Sequence, residues 1–272
     1  MKIQIILDSG SNDRTDDVVI TPLRISFKDK TYIDDDSLDT NELLKTMATT
    51  KEAGRSSCPN IQDWLDRMTG ENIVMLPLTS GLSGSYNAAL QAKELYLEKY
   101  PDRNVLVLDA KTVGPENRVI VDIIEKLAEE DVPFNELEGR INEEMTHTDL
   151  VFVLKSLRNL ALNGRLPMVA ARLAGMLKIM VIGTVDEEGK FALLNKTRGM
   201  KKALADIIDQ MKAKGYQGGT VYIDHCDNEA ESIILKDKIL ASFPNAKITI
   251  RKTRGICTFY GERGGILVGF HN

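Results

Sequence analysis

The chain has 272 residues, 43% of them hydrophobic and 28% charged, with a formal net charge of -5. That is room for two domains with ordinary cores, and the acidic balance argues against a nucleic-acid-binding protein. No apolar run approaches the roughly 18 residues that cross a bilayer, so stable membrane insertion is not expected.

Ile3 to Leu7 reads as a short apolar strand stopped by Asp8-Ser9-Gly10-Ser11-Asn12, a run of turn formers. The chain thus opens directly in a strand, without a basic segment and apolar leader. The three cysteines, Cys58, Cys226 and Cys257, show no metal-binding spacing. A cytoplasmic protein with reduced thiols is expected. Val18 to Ile20 and Leu23 to Phe27 are strands split at Pro22, and Thr31 to Ile33 closes a hairpin. A short helix at Asn41 to Met47 precedes an amphipathic one, Ile61 to Met68. Asn72 to Leu78 and Asn104 to Asp109 are buried strands, each followed by a helix, Tyr86 to Tyr100 and Arg118 to Glu130. This alternation implies a parallel sheet covered on both faces, a three-layer α/β/α domain. Asp8-Ser9, Thr79-Ser80 and Asp109 then share the rim at the strands' carboxyl ends, where such sheets bind ligands.

The pattern changes after about residue 148. Strands at Leu150 to Leu154, Phe191 to Leu194, Gly219 to Ile223, Lys247 to Ile250 and Gly265 to Phe270 accompany helices at Lys201 to Lys214 and Ala230 to Ser242. Val181-Ile182 faces Phe191 across the turn Asp186 to Gly189, so the second α/β domain, 149–272, has a mixed sheet with helices on one side. The first domain is 1–148, and the ligand is expected between the two. An apolar stripe from Leu160 to Met180, including Leu162, Leu166, Met168, Val169, Leu173, Met176, Leu177 and Ile179, fits a core or a tunnel.

Two hydroxyl-rich segments carry the chemistry. In Arg55-Ser56-Ser57-Cys58-Pro59-Asn60, Asn60 caps the next helix, with Asp63 in the capping-box position. In Thr79-Ser80-Gly81-Leu82-Ser83-Gly84-Ser85, four hydroxyls exceed what a cap requires. Such helix starts hold small anions. The second segment lacks the lysine of a phosphate loop, and Ser85 stands where a hydrolase elbow has its last glycine. A binding site fits better than a catalytic one.

These residues resemble the DegV family of bacterial fatty-acid-binding proteins. The shared marks are Asp8-Ser9, Ser56-Ser57-Cys58-Pro59-Asn60, the loop Ser80 to Tyr86, Asn163-Gly164-Arg165, Asp109 with Lys111-Thr112, and Thr197-Arg198. The resemblance implies two α/β domains with a long-chain, palmitate-like fatty acid between them. Its carboxylate would be held by hydroxyls of the two motifs, Ser56 or Ser57 and Ser83; Asn60, Ser80, Gly84, Arg165 and Tyr260 would complete the ligand site, and a tunnel largely in the second domain would take the tail. It also implies a partner, a fatty acid kinase subunit that converts the bound carboxylate to an acyl phosphate, with Arg198 facing that partner. No catalytic residue, cofactor or metal is implied. Many members carry a histidine near the carboxylate; here its place falls on Phe259 or Tyr260, and Arg263 offers a positive charge. Phe259 would narrow the site beside the carboxylate.

The competing reading is a serine hydrolase for a small ester or lipid, with Ser83 as nucleophile and His225 as base beside Asp224 or Asp227. A phosphotransfer subunit ranks below both, since no histidine sits in a nucleophile loop.

Overall fold

Strand β1 (Gln4–Asp8) alternates its side chains between two helical layers, and this alternation builds the first half. It pairs in parallel with β2 (Val18–Thr21) on one side and β6 (Asn72–Leu76) on the other. Strand β7 (Asn104–Val107) extends the order to β2-β1-β6-β7. Ile6, Ile73 and Met75 face Trp64, Ala89 and Tyr96, from the side that carries helices α2 (Ile61–Leu65) and α3 (Ser85–Lys99). Ile5, Leu7 and Val74 face helices α4 (Pro115–Glu129) and α5 (Phe134–Met145). The three layers follow the expectation from the strand–helix alternation.

This computed structural model describes residues 1–28, 30–50, 52–167 and 179–272. A small antiparallel sheet, β4 (Lys30–Ile33), β3 (Arg24–Phe27) and β5 (Arg55–Ser57), stands beside the parallel one. Helix α1 (Thr40–Thr49) joins β4 to β5.

The second half contains a six-stranded mixed sheet of order β10-β9-β8-β13-β11-β12. Its strands are β8 (Thr148–Leu154), β9 (Ile179–Val185), β10 (Phe191–Arg198), β11 (Gly219–His225), β12 (Ala246–Lys252) and β13 (Ile266–His271). Among the described residues of this sheet only the β11–β12 pair is parallel. Helices α7 (Met200–Ala213) and α8 (Glu229–Ser242) cover one face through Leu204, Ile207, Met211, Leu235 and Ile239. Two shorter helices, α6 (Arg158–Leu162) and α9 (Gly255–Gly261), lie toward the first half.

The expectation of helices on one side needs a correction. The opposite face is not bare, because α4 of the first half packs on β13, β11 and β8. A Cβ on Gly269 of β13 would sit 2.3 Å from the Glu116 backbone nitrogen, so helix and strand meet backbone to backbone. That double packing explains a helix whose residues from Pro115 to Val121 are all buried. Of the apolar stripe, Leu160 and Leu166 join the cluster under β8, while Met180 joins the opposite cluster and Leu162 is exposed. Met168, Val169, Leu173, Met176 and Leu177 lie outside the described residues.

At the seam the buried Glu116 accepts hydrogen bonds from Thr112 and, at 2.7 Å, from Thr148 of β8. Burial raises its pKa to about 7, against the pull of both threonines. The unfolded chain ionises this group near the ordinary glutamate value of 4.5, so its contribution to stability is present below that pH and is lost as pH rises towards 7. We expect Glu116→Gln, which keeps the shape without the charge, to be the more stable protein at pH 8, by about 3 kcal/mol. The difference between the two proteins should vanish near pH 4; calorimetry across that range checks it.

Candidate functional site

The segment from Leu76 to Ser85 joins β6 to α3 and is shaped by contacts at both ends. Leu78 N–H donates to the Asp8 carboxylate at 2.8 Å, and the Ser85 hydroxyl donates to the same oxygen. Inside the loop, Leu82 and Ser83 both donate to the Thr79 carbonyl, at 3.2 and 3.1 Å. Thr79 donates in turn to the Gly189 carbonyl at 3.1 Å, in the β9–β10 turn. A Cβ on Gly81 would come within 2.4 Å of the Glu188 carbonyl oxygen, so the two halves touch here only because position 81 has no side chain.

The loop delivers Ser83 and Gly84 to a cavity. Gly84 caps α3 without a side chain, so the positive end of a 15-residue helix opens at that point. The Ser83 hydroxyl accepts from Ser85 N–H at 3.2 Å, which leaves its own proton to donate. Ser56 and Ser57 of β5 reach the same cavity. The Ser56 hydroxyl lies 2.6 Å from the Tyr260 hydroxyl, a contact between residues 204 apart in sequence. Arg165 completes the polar end, with its guanidinium 5.9 Å from the Tyr260 ring centroid and its Nε donating to the Leu82 carbonyl at 3.1 Å. Burial pushes the Tyr260 pKa up, while Ser56 and the Arg165 charge pull it down.

The cavity has a volume of about 260 Å³. Away from the serines its wall is apolar, with Leu23 and Val113 from the first half and Phe152, Leu160, Phe191 and Leu267 from the second. Cys257 is part of that wall, and burial raises its thiol pKa well above the usual value, so it lines the cavity as a neutral group. One polar end beside a long apolar wall suits an amphipathic acid.

Comparison with known proteins supports that geometry. Residues 2–270 match the family profile described as uncharacterised protein, DegV family. The chain belongs to the DegV family. A DegV domain-containing protein from Streptococcus pneumoniae is 36% identical over 278 residues, covering 99% of both chains. The solved structure of a DegV family protein from Eubacterium eligens, loaded with heptadecanoic acid, superposes with a TM-score of 0.95 at 34% identity, covering 100% of each chain. The Streptococcus pneumoniae Fatty Acid Kinase (Fak) B3 protein, loaded with linoleic acid, also gives 0.95, at 36% identity over 100% of this chain and 99% of that one.

Six of the eight expected ligand-binding residues of this DegV protein, Ser56, Ser57, Ser83, Gly84, Arg165 and Tyr260, meet at the cavity. The other two do not. Asn60 is spent on the capping box of α2, where it and Asp63 exchange hydrogen bonds of 2.9 Å. Ser80 points to the Lys111 ammonium at 3.0 Å, and its N–H donates to Asp109. Both read as ligand groups in sequence because capping and ligand binding use the same residue types. Arg198 is exposed at the end of β10. Arg263 is not at the cavity, and pairs instead with Asp227.

The hydrolase constellation does not assemble. His225 is buried at the end of β11 and accepts from Asn228 N–H at 3.2 Å, outside the cavity lining. Asp224 is held by Arg251 at 2.8 and 3.0 Å.

Tyr260, not Phe259, faces the cavity, and Phe259 is fully buried against Phe27, with ring centroids 5.9 Å apart. Phe259 therefore does not narrow the site. Its own surroundings are apolar and offer an imidazole no evident partner. We expect Phe259→His to cost about 2–4 kcal/mol and to lower Tm by several degrees in a thermal melt.

Proposed function

We propose that this protein buries a long-chain fatty acid in the cavity between its two halves and presents the carboxylate to a partner kinase for acyl phosphate formation. The observation that carries this reading is the convergence of Ser56, Ser57, Ser83, Arg165 and the α3 N-terminus at one end of an apolar cavity. Relatives of the same fold, at 34% and 36% identity, were crystallised with heptadecanoic and linoleic acid.

The energetics divide the labour. Burying about 14 methylenes at roughly 0.8 kcal/mol each gives an upper limit of about 11 kcal/mol, so the tail supplies most of the affinity. The hydroxyls, Arg165 and the helix end orient the carboxylate. In this reading residues 1–148 supply the serine loops and 149–272 most of the tail wall. The division is not strict, because Leu23 and Val113 line the tail side while Arg165 and Tyr260 stand at the head. The protein itself supplies no catalytic group; the chemistry belongs to the kinase. Arg198, exposed on the edge strand β10, is assigned to that partner. Among the described residues no helix is long and apolar enough to cross a membrane, and the cytoplasm is the compartment we assign.

Mass spectrometry of protein purified under native conditions tests the class of ligand; a co-purifying fatty acid is expected, and wild-type protein that neither carries nor takes up a fatty acid would overturn the reading. Ser83→Ala should weaken palmitate binding by about 1.5–3 kcal/mol, roughly tenfold or more, without unfolding the protein. Equal affinity in a fluorescence titration removes Ser83 from the site. Labelling of Ser83 by a fluorophosphonate would instead favour the hydrolase.

A further inference from the structure

Asp8 lies at the carboxyl end of β1, is fully buried and does not line the cavity. One of its carboxylate oxygens accepts from Leu78 N–H at 2.8 Å and from the Ser85 hydroxyl. The other accepts from Gly10 N–H at 3.0 Å. Leu78 and Ser85 bracket the segment that carries Ser83 and Gly84, so a single oxygen grips both ends of it. The segment's other outside anchors each hold a single residue of it: Thr79 on Gly189 and Thr112, Ser80 on Asp109 and Lys111, and Leu82 on Arg165. Asp8 itself cannot drift, because its strand is paired on both sides, with Asp8 opposite Thr21 and Leu7 opposite Leu76.

We propose that Asp8 is a positioning residue for fatty-acid binding, whose carboxylate closes the ends of the Ser83 loop and so aims the loop at the carboxylate of the ligand. The proposal rests on the fatty-acid reading of the cavity. An ionised carboxylate is required for this grip, because its two oxygens accept from three donors at once. A proton on the oxygen shared by Leu78 and Ser85 makes that oxygen a donor and displaces one end of the loop, whereas on the other oxygen it displaces only Gly10 N–H. Burial raises the Asp8 pKa to about 6, opposed by the hydrogen bonds from Ser85, Leu78 and Gly10. The groups facing it are few. Asp34, from the segment between β4 and α1, adds repulsion and is itself beside Arg254. From α9, the Cys257 thiol donates to the Gly10 carbonyl at 3.4 Å and is kept neutral by burial. Ser85 and Leu78, from α3 and the loop, do not titrate, and Asp109 binds the loop farther along, at Ser80.

The sign follows. As pH falls through about 6, Asp8 takes up a proton, the loop ends loosen, and ligand affinity drops. In Asp8→Asn, one amide N–H must face a donor whichever way the side chain turns, and no proton is exchanged at that position.

The test measures palmitate dissociation constants for delipidated full-length protein between pH 5 and 8, by displacement of a fluorescent fatty acid. Four proteins are compared: wild type, Asp8→Asn, Ser85→Ala and Ser83→Ala. Titration of palmitate's own carboxyl is common to all four and cancels in their ratios. Wild type should lose affinity below pH 6 relative to Asp8→Asn. Asp8→Asn should bind about tenfold more weakly at pH 7.5, and the ratio should shrink towards one at pH 5. Ser85→Ala, a milder change that keeps the Leu78 anchor, should bind about threefold more weakly at pH 7.5 with its Tm preserved. It stands in if Asp8→Asn fails to fold. Wild-type affinity and pH profile in Asp8→Asn, or unchanged affinity in Ser85→Ala where Asp8→Asn does not fold, overturns the positioning role. If Ser83→Ala is weakened in the same experiment, the fatty-acid reading survives that result. If wild type binds no palmitate, the fatty-acid reading fails and the proposal with it.

Discussion

Helix α4 is buried on two sheets at once, and the rest of the structure is arranged around that constraint. One side of it packs on the parallel sheet through Val119, Ile120 and Ile124. The other lies on β13, β11 and β8. A helix so placed has no solvent face near its start, and the charges it carries there must be satisfied from the protein. Arg118 is paired with Asp13, Asp17, Asp122 and Glu125. Tyr222 of β11 donates to Asp122 at 2.8 Å, which ties this cluster to the second sheet. The two sheets are thereby fixed at one edge of the seam, and the cavity occupies the part that α4 leaves open.

Carboxylates then act as long-range caps around that opening. Asp34 accepts from the Gly255 and Ile256 N–H groups, at 2.6 and 2.8 Å, and so starts α9 from a position 221 residues earlier. Asn12 accepts from Arg254 N–H just before it, at 2.9 Å. These contacts place Tyr260 opposite Ser56. The polar end of the cavity is therefore assembled from both ends of the chain, and its geometry depends on groups that do not touch the cavity.

How much of this is legible in the sequence follows from how local each signal is. The parallel sheet is legible because Ile5, Ile6 and Leu7, like Val74, Met75 and Leu76, form unbroken apolar runs between turn formers. The Ser83 loop is legible because its hydroxyls outnumber the needs of a cap. Helix α5 goes unread because its apolar face, Phe134, Leu137, Ile141 and Met145, is sparse among charged neighbours. Helix α9 goes unread for a different reason: glycine at both ends and β-branched Ile256 and Thr258 give it poor intrinsic propensity, and its cap is Asp34. Strand β5 also escapes, being three residues of polar sequence held by pairing with β3. Asn60 and Ser80 carry the chemistry of ligand groups, but each finds a nearer partner within the fold.

The shared helix also bears on what can be separated from what. A chain cut between residues 148 and 149 would leave α4 with an uncovered apolar flank, and would strip the second sheet of the layer over β13 and β8. Thr148, which donates to Glu116 across the seam, sits at that same junction. Neither fragment would keep a closed interior in water. Though its sheets are separate, the two halves should melt in a single transition, and separately expressed pieces should be prone to aggregate.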